Sequence, residues 1–290
     1  MLATRHVPDR ILDRRAPIVR ADACSQWAQW FIEGIANPLN YVQLGYAHLF
    51  KDVLSVVSQR FSTHTKPEQW EAASTIANIL MARVEALRMR RERRVLTREQ
   101  RILLLDLSGQ PPKCWACGFV FSQPAVDNFV RGERSAIPVP PFIDILKPIG
   151  LKQQDLRIEV DHVFPFAQGG AEEENLRLAC GWCNRHKSSL ISLYEVEGRP
   201  RQAGPSPLAI PSLPHPFWIV RILAVQRRCE HPDGCSASVD TSEMTVAPIS
   251  TMGALNPCNL KVTCYGHDPW SAFRLQSVDV VRRLWQTVAG

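Results

Sequence analysis

The sequence predicts an α+β protein with a helical N-terminal domain followed by two smaller units that carry most of the cysteines. Apolar residues recur three and four positions apart over about the first hundred residues, as on the buried face of helices. From Lys113 to Ser192, cysteines, β-branched residues and turn residues replace that pattern. Six prolines between positions 200 and 216 then mark a semi-rigid linker. These changes predict a helical domain at 1–108, a first cysteine-bearing domain at 109–199, the linker at 200–216 and a last module at 217–290.

Capping residues mark the starts of three expected helices near the N-terminus. An Asn followed by Pro is an N-cap with Pro in the first turn, and a Thr three residues ahead of Glu or Gln forms a capping box. Each pattern precedes apolar residues at helical spacing, and Gly109 with the prolines after it ends the third helix. The capping patterns are Asn37-Pro38, Thr65 with Glu68, and Thr97 with Gln100.

The later units are expected to combine short strands with short helices. The segments 159–163 and 176–180 read as two strands, and a short helix is expected to begin near Trp182. Asp268 followed by Pro269 is expected to open a terminal helix. The apolar, Pro-rich insertion 118–157 fits a contact with DNA or a partner as well as it fits a packed loop.

The chain carries a formal net charge of +6, and much of it lies in one short segment. Residues 88–101 contain seven arginines against two glutamates, a local balance of +5. Such a cluster either faces backbone phosphates or forms a solvated helix face, and composition favours neither. The candidate phosphate contacts are Arg90, Arg91, Arg93 and Arg94.

Composition also indicates the compartment. The apolar stretches are too short for a membrane span, and residues 1–15 are charged and lack the apolar region of a signal peptide. We therefore expect a cytoplasmic protein without a membrane partner. In that reducing compartment, cysteines with paired C-x-x-C spacing indicate metal ligands and not disulfides.

Two C-x-x-C pairs flank the strands of the first cysteine-bearing domain, CWAC at 114–117 and CGWC at 180–183. Four thiolates at this spacing can close a tetrahedral zinc site. Such a site has no open coordination position, so the zinc would be structural and the reactive groups must come from elsewhere. The expected zinc ligands are Cys114, Cys117, Cys180 and Cys183.

Around these pairs the chain carries Asp161-His162, Pro165, Gly169-Gly170, Asn175-Leu176 and CGWCNRHK at 180–187. With these residues it resembles the HNH endonucleases, the ββα-metal nucleases, and the likeness covers about 114–190. The resemblance implies a ββα-metal module pinned by the structural zinc. Its third motif position is Asn184 in place of His, as in a recognised subset of the family. His186 is not expected to share the metal, because residues two apart on a helix point to different faces.

The resemblance implies hydrolysis of DNA phosphodiester bonds, which leaves 5′-phosphate and 3′-hydroxyl ends. His162 would be the general base, since imidazole titrates near neutral pH, and Asn175 would orient it. Asp161 and Asn184 would give oxygen ligands to a catalytic Mg²⁺ or Mn²⁺. The expected phosphate contacts beside them are Arg185 and Lys187.

The last module parallels the first in part. NLKVTCYGHD at 259–268 matches NLRLACGWCN at 175–184, which predicts a second structural zinc site. Coincidence is the alternative, because C-x5-C is a looser spacing than C-x2-C and Cys258 competes as a ligand. The expected ligands are Cys229, Cys235, Cys264 and His267.

Counting back from Asn259 without gaps places Thr245 and Val246 at the positions of Asp161 and His162. Neither residue can serve as a metal carboxylate or as a base. The last module is therefore expected to be a degenerate copy that kept its zinc ligands and lost its chemistry.

Two functions from different classes follow. The first is a metal-dependent DNA endonuclease, which by analogy would serve in restriction or anti-phage defence, with a protein partner in a larger defence complex. The second is a zinc protein without catalysis that binds nucleic acid or a partner. The Asp161-His162 pair favours the nuclease, because a pure binder has no need of a carboxylate beside an imidazole.

Overall fold

A computed structural model describes residues 12–89, 96–163, 175–197, 201–202 and 212–286. These residues mix helices with two-stranded sheets, as expected of an α+β protein. Two compact units are present. The larger unit comprises the described residues of Met1–Val19, Leu96–Asp161 and Leu176–Gly290, and the smaller unit those of Arg20–Val95 and His162–Asn175. No helix in the described ranges is both long and apolar enough to cross a membrane.

The secondary structure is numbered along the chain. The α-helices are α1 Ala16–Glu33, α2 Tyr46–Arg60, α3 Lys66–Met89, α4 Arg98–Leu107, α5 Gln123–Arg131, α6 Gly181–Lys187, α7 Pro216–Gln226, α8 Ser271–Arg274 and α9 Val278–Gln286. The strands are β1 Phe142–Asp144, β2 Ile158–His162, β3 Leu176–Cys180, β4 Arg201–Gln202, β5 Ser212–Leu213, β6 Met244–Pro248, β7 Leu260–Cys264 and β8 Leu275–Ser277.

The core of the smaller unit lies between α2 and α3, which pack against each other. Their apolar residues recur at helical spacing, so each helix places one stripe against the other. The fully buried members are Leu49, Val53 and Val57 of α2 and Ala73, Ala77, Leu80 and Val84 of α3.

The predicted helix starts are confirmed at α3 and α4. Glu68 accepts hydrogen bonds from both the backbone and the hydroxyl of Thr65, each at 2.8 Å. Thr97 and Gln100 form the complete capping box of α4. The helix expected after Asn37 differs, because Asn37 caps only a 3₁₀ turn and α2 begins later, at Tyr46.

The backbone carbonyls between the 3₁₀ turn and α2 accept hydrogen bonds from a side chain and not from helical amides. Arg88 donates a hydrogen bond of 2.7 Å to the Val42 carbonyl and another to the Leu44 carbonyl. The arginine side chain therefore takes the place that helical amides would have taken, and the chain turns between residues 42 and 45.

The first cysteine-bearing segment and the last module share one hydrophobic core in the larger unit. Helix α4 belongs to this unit as well. Within the expected linker, β4 pairs with β5 and α7 begins at Pro216, capped by the His215 side chain.

The insertion 118–157 is packed against the last module. Strand β1 pairs antiparallel with β8, and Lys147 donates to the Met244 carbonyl at 2.7 Å. This pairing explains why the single terminal helix expected after Asp268 was wrong: β8 separates α8 from α9. The buried apolar residues of the insertion include Ile137, Ile143, Ile145, Leu146 and Ile149.

Candidate metal and catalytic site

The four cysteines of the two C-x-x-C pairs form one buried cluster. Their sulfur atoms all lie within 4.8 Å of one another. Tetrahedral Zn–S bonds of about 2.3 Å need sulfurs that converge in this way, so the donor set fits zinc. Burial and the neighbouring thiols raise the pKa of Cys180 well above its usual value, which a bound cation would reverse by stabilising thiolate. The cluster is the predicted one, Cys114, Cys117, Cys180 and Cys183.

A glycine makes the first knuckle of this cluster possible. Gly118 has φ +75°, and a Cβ there would lie 2.3 Å from the Ser242 carbonyl oxygen. The Gly118 amide donates to the Cys114 carbonyl at 2.8 Å, which closes the turn that brings Cys114 and Cys117 together. A side chain at position 118 would therefore displace the knuckle from the last module.

A second cluster forms in the last module from the set that the repeat predicts. His267 Nδ1 lies 3.8 Å from Cys229 Sγ and 3.6 Å from Cys264 Sγ. Burial raises the pKa of Cys229, but hydrogen bonds from the Cys264 backbone and His267 outweigh it and lower the value to about 7. Three thiols and an imidazole are a donor set of structural zinc sites. The members are Cys229, Cys235, Cys264 and His267, without Cys258.

Asp161 lies on β2 in a buried polar environment. Its Oδ1 accepts a hydrogen bond of 2.8 Å from Lys187 Nζ, and its Oδ2 accepts one of 3.0 Å from Trp115 Nε1. Burial raises the pKa of the Asp161 carboxyl, while Lys187 opposes that shift and Glu159 adds to it. Because Trp115 lies between Cys114 and Cys117 in the sequence, the first cysteine knuckle fixes one partner of this carboxylate.

Asn184 faces a residue that sequence reasoning missed. Its Nδ2 donates a hydrogen bond of 2.6 Å to Oε2 of Glu159. Glu159 precedes Asp161 by two positions on β2, and alternate residues of a strand share a face. That period-two spacing, within a predicted strand, is the sequence signal that would have identified Glu159.

Helix α6 approaches the chain ahead of β2 closely enough to require a glycine at its start. A Cβ on Gly181 would lie 1.9 Å from the Gln154 carbonyl oxygen, and the Gly181 amide donates to the Arg157 carbonyl at 3.0 Å. This contact places Asn184, in the next turn of α6, beside Glu159.

Arg185 and Lys187 of α6, the expected phosphate contacts, both form ion pairs within the protein. Lys187 is 7% exposed and forms an ion pair with Asp161, so its ammonium does not lie at the surface. Arg185 forms an ion pair with the buried Asp155 and keeps part of its side chain exposed. The His186 ring packs against the Trp182 ring, with 4.8 Å between the ring centroids and 60° between the ring planes.

His162 is the last residue of β2, and Asn175 directly precedes β3. The Val163 amide donates to the Asn175 carbonyl at 2.9 Å and closes the hairpin at this end. Residues 164–174, which include Pro165 and the Gly169-Gly170 turn, lie outside the described residues, as do Arg90, Arg91, Arg93 and Arg94.

The β6–β7 hairpin allows a direct comparison with β2–β3. The Ile249 amide donates to the Asn259 carbonyl at 2.8 Å, as Val163 does to Asn175. Ile249 therefore corresponds to Val163, and the residues at the places of Asp161 and His162 are Ala247 and Pro248.

The expected equivalents, Thr245 and Val246, were wrong by two positions, because the connection from 249 to 259 is two residues shorter than that from 163 to 175. The functional conclusion is unchanged, since Ala247 and Pro248 offer neither a carboxylate nor a base.

Comparison with known families agrees with this geometry. No curated protein and no solved structure matches the chain. Residues 150–190, which contain β2, β3 and α6 and therefore Asp161, Asn184 and the second C-x-x-C pair, match the model of the HNH endonuclease family.

Proposed function

We propose that the protein is a metal-dependent HNH endonuclease that hydrolyses DNA phosphodiester bonds. The observation that carries this proposal is that Asp161 and Glu159 of β2 each contact α6, Asp161 through Lys187 and Glu159 through Asn184, beside the buried cysteine cluster. The match of residues 150–190 to the HNH endonuclease family supports the same reaction. Fold alone would not carry this conclusion, because function depends on the site.

The donors present fit a hard divalent cation. Asp161 and Glu159 offer carboxylate oxygens and Asn184 an amide oxygen, which are the ligands that Mg²⁺ and Mn²⁺ prefer. When bound, such a cation offsets negative charge on the phosphate and on the leaving oxygen. Asp161 and Asn184 are the residues that we propose to hold it.

The other roles fall to the hairpin. We assign His162, which follows Asp161 on β2, as the general base that accepts a proton from the attacking water. Asn175, directly before β3, would orient the base. The hydrogen bonds from Lys187 and Trp115 would keep Asp161 in one orientation and favour its ionised form. The ends produced would be a 5′-phosphate and a 3′-hydroxyl.

Both cysteine clusters would hold structural zinc. Reduced cysteines arranged as metal ligands suit a cytoplasmic protein. The fused helical unit suits a controlled nuclease, and we propose a role in restriction or anti-phage defence, alone or with a protein partner.

The test is cleavage of supercoiled plasmid by the purified zinc-loaded protein. We expect nicking with Mg²⁺ or Mn²⁺ and none when EDTA is added in excess just before the reaction. A parallel reaction with single-stranded RNA tests the choice of DNA. DNA binding without cleavage under every metal would overturn the nuclease and leave the zinc-containing binding protein. Cleavage of RNA alone would overturn the assignment of DNA.

A further inference from the structure

Glu159 and Asn184, two of the proposed oxygen donors, are joined by a short hydrogen bond. The Glu159 side chain comes from β2 and the Asn184 side chain from α6, and Oε2 lies 2.6 Å from Nδ2. A carboxylate can only accept hydrogen bonds, so the NH₂ group of Asn184 must face Glu159. The amide oxygen of Asn184 is therefore turned away from Glu159.

The last module has its own residues at the positions of Glu159 and Asn184. Thr245 stands four residues before Ile249, as Glu159 stands four before Val163, and Asp268 follows His267 as Asn184 follows Cys183. Thr245 and Asp268 are therefore the counterparts of Glu159 and Asn184.

A buried arginine joins these counterparts. Arg274 Nη1 lies 2.6 Å from Asp268 Oδ2, and its Nε lies 2.8 Å from Asp144 Oδ1. The same Asp144 accepts a hydrogen bond of 2.6 Å from Thr245. In the last module a guanidinium thus supplies the positive charge, with side-chain oxygens around it.

In the first module, Glu159 and Asn184 offer side-chain oxygens, and no arginine takes the place of Arg274 beside them among the residues that the structure describes. Among the residues that the structure describes, Glu159 forms no ion pair within 4.0 Å, although it lies near the Asp161 carboxylate. Two carboxylates close together on one strand face are stabilised by an added cation. In the last module a guanidinium therefore pairs with the residue at the place of Asn184, whereas in the first module the Lys187 ammonium pairs with Asp161 and the contact between Glu159 and Asn184 is a hydrogen bond.

We infer that Glu159 is a positioning residue of the proposed nuclease site, which holds the Asn184 amide so that its oxygen faces the divalent cation. This inference rests on the proposed function. It predicts that the hydrogen-bond acceptor at position 159 matters more than its negative charge. Partners that orient metal ligands commonly change metal affinity by about ten- to a hundredfold.

Three proteins test the inference: the unaltered chain, Glu159→Gln and Glu159→Met. Gln keeps an acceptor oxygen for Asn184, whereas Met has a similar length and no such acceptor. Mn²⁺ affinity is measured by electron paramagnetic resonance on zinc-loaded protein without DNA, so the readout does not depend on cleavage. We expect Glu159→Met to weaken Mn²⁺ binding by about ten- to a hundredfold and Glu159→Gln to remain within about threefold of the unaltered chain.

Equal Mn²⁺ affinity in all three proteins would overturn the inference. An equal loss in Glu159→Gln and Glu159→Met would overturn it too, and would make Glu159 a direct ligand or a charge contributor. Zinc content and circular dichroism establish folding, and Glu159→Ala replaces the Met variant if that variant is unfolded. If the unaltered chain binds no Mn²⁺, the proposed function fails and not only the role of Glu159.

Discussion

Lys187 and Asp161 form a buried ion pair, with 2.8 Å between Nζ and Oδ1 and side chains that are 9% and 5% exposed. The pair joins the last turn of α6 to the end of β2, next to the residue proposed as the base. Removing one partner of such a pair leaves a buried charge that lacks compensation. Lys187 therefore acts on the stability and the ionisation of Asp161.

Lys187→Met should lower the free energy of unfolding by about 3–5 kcal/mol, because the Asp161 carboxylate loses its charged partner. Asp161→Asn with Lys187→Met should recover most of that stability while abolishing cleavage. Urea unfolding of the three zinc-loaded proteins measures the effect. Equal stability of Lys187→Met and the unaltered chain would contradict the ion pair.

The loss of unfolding free energy in Lys187→Met should also depend on pH. Burial already raises the pKa of Asp161, and removal of Lys187, which lowers it, raises the pKa further. A carboxyl whose pKa is higher in the folded state contributes stability at low pH and loses it as the pH rises through the folded value. The destabilisation should thus be smaller at pH 4 than at pH 8.

Two zinc ions should bind each chain, one in each cysteine cluster. The double variant Cys264→Ser, His267→Ala removes two ligands of the second cluster and should leave one zinc by inductively coupled plasma mass spectrometry. Cys258→Ser is the matched control and should retain two, because Cys258 lies outside the cluster. One zinc in the unaltered chain would remove the second site.

Arg274→Met should destabilise the larger unit by about 3–5 kcal/mol or more, because two buried carboxylates, Asp144 and Asp268, lose their shared cation. Arg282→Met is the control, since Arg282 forms a largely exposed pair with Asp279 and such pairs contribute about 0–1 kcal/mol. Chemical denaturation compares the two variants. Similar midpoints would show that the Arg274 network does not stabilise the fold.

The arginine cluster gives a prediction from sequence alone. Replacing Arg90, Arg91, Arg93 and Arg94 by Gln should weaken DNA binding and flatten its salt dependence, by about 0.9 in log K against log salt for each phosphate that an arginine no longer neutralises. Fluorescence anisotropy over a range of salt concentrations measures the slope. An unchanged slope would favour a solvated helix face.

Local patterns predicted much of this molecule. The spacing of Cys114, Cys117, Cys180 and Cys183 predicted the first cluster because C-x-x-C turns are short and their geometry is local. The strand at 176–180 and the capping box at Thr97 were confirmed for the same reason.

Features that depend on distant parts of the chain were missed. The break between α8 and α9 arises because β8 pairs with β1, and no local pattern near residue 275 indicates that partner. Lys187 was expected to contact phosphate, and its burial against Asp161, 26 residues earlier in the chain, was not predicted. The miss of Glu159 has another cause, because its position two residues before Asp161 in a predicted strand is local information. Glu159 is not among the motif residues that carry the resemblance.

Single-turnover cleavage by His162→Ala is the measurement that tests the nuclease most directly. General-base catalysis contributes about 10²–10⁴-fold, so the rate with Mg²⁺ should fall by at least about a hundredfold. Zinc content and unfolding free energy should not change, because His162 belongs to neither cysteine cluster. His186→Ala, on the neighbouring helix, is the control and should cleave normally. Cleavage by folded, zinc-loaded His162→Ala at close to the unaltered rate would contradict the assigned base.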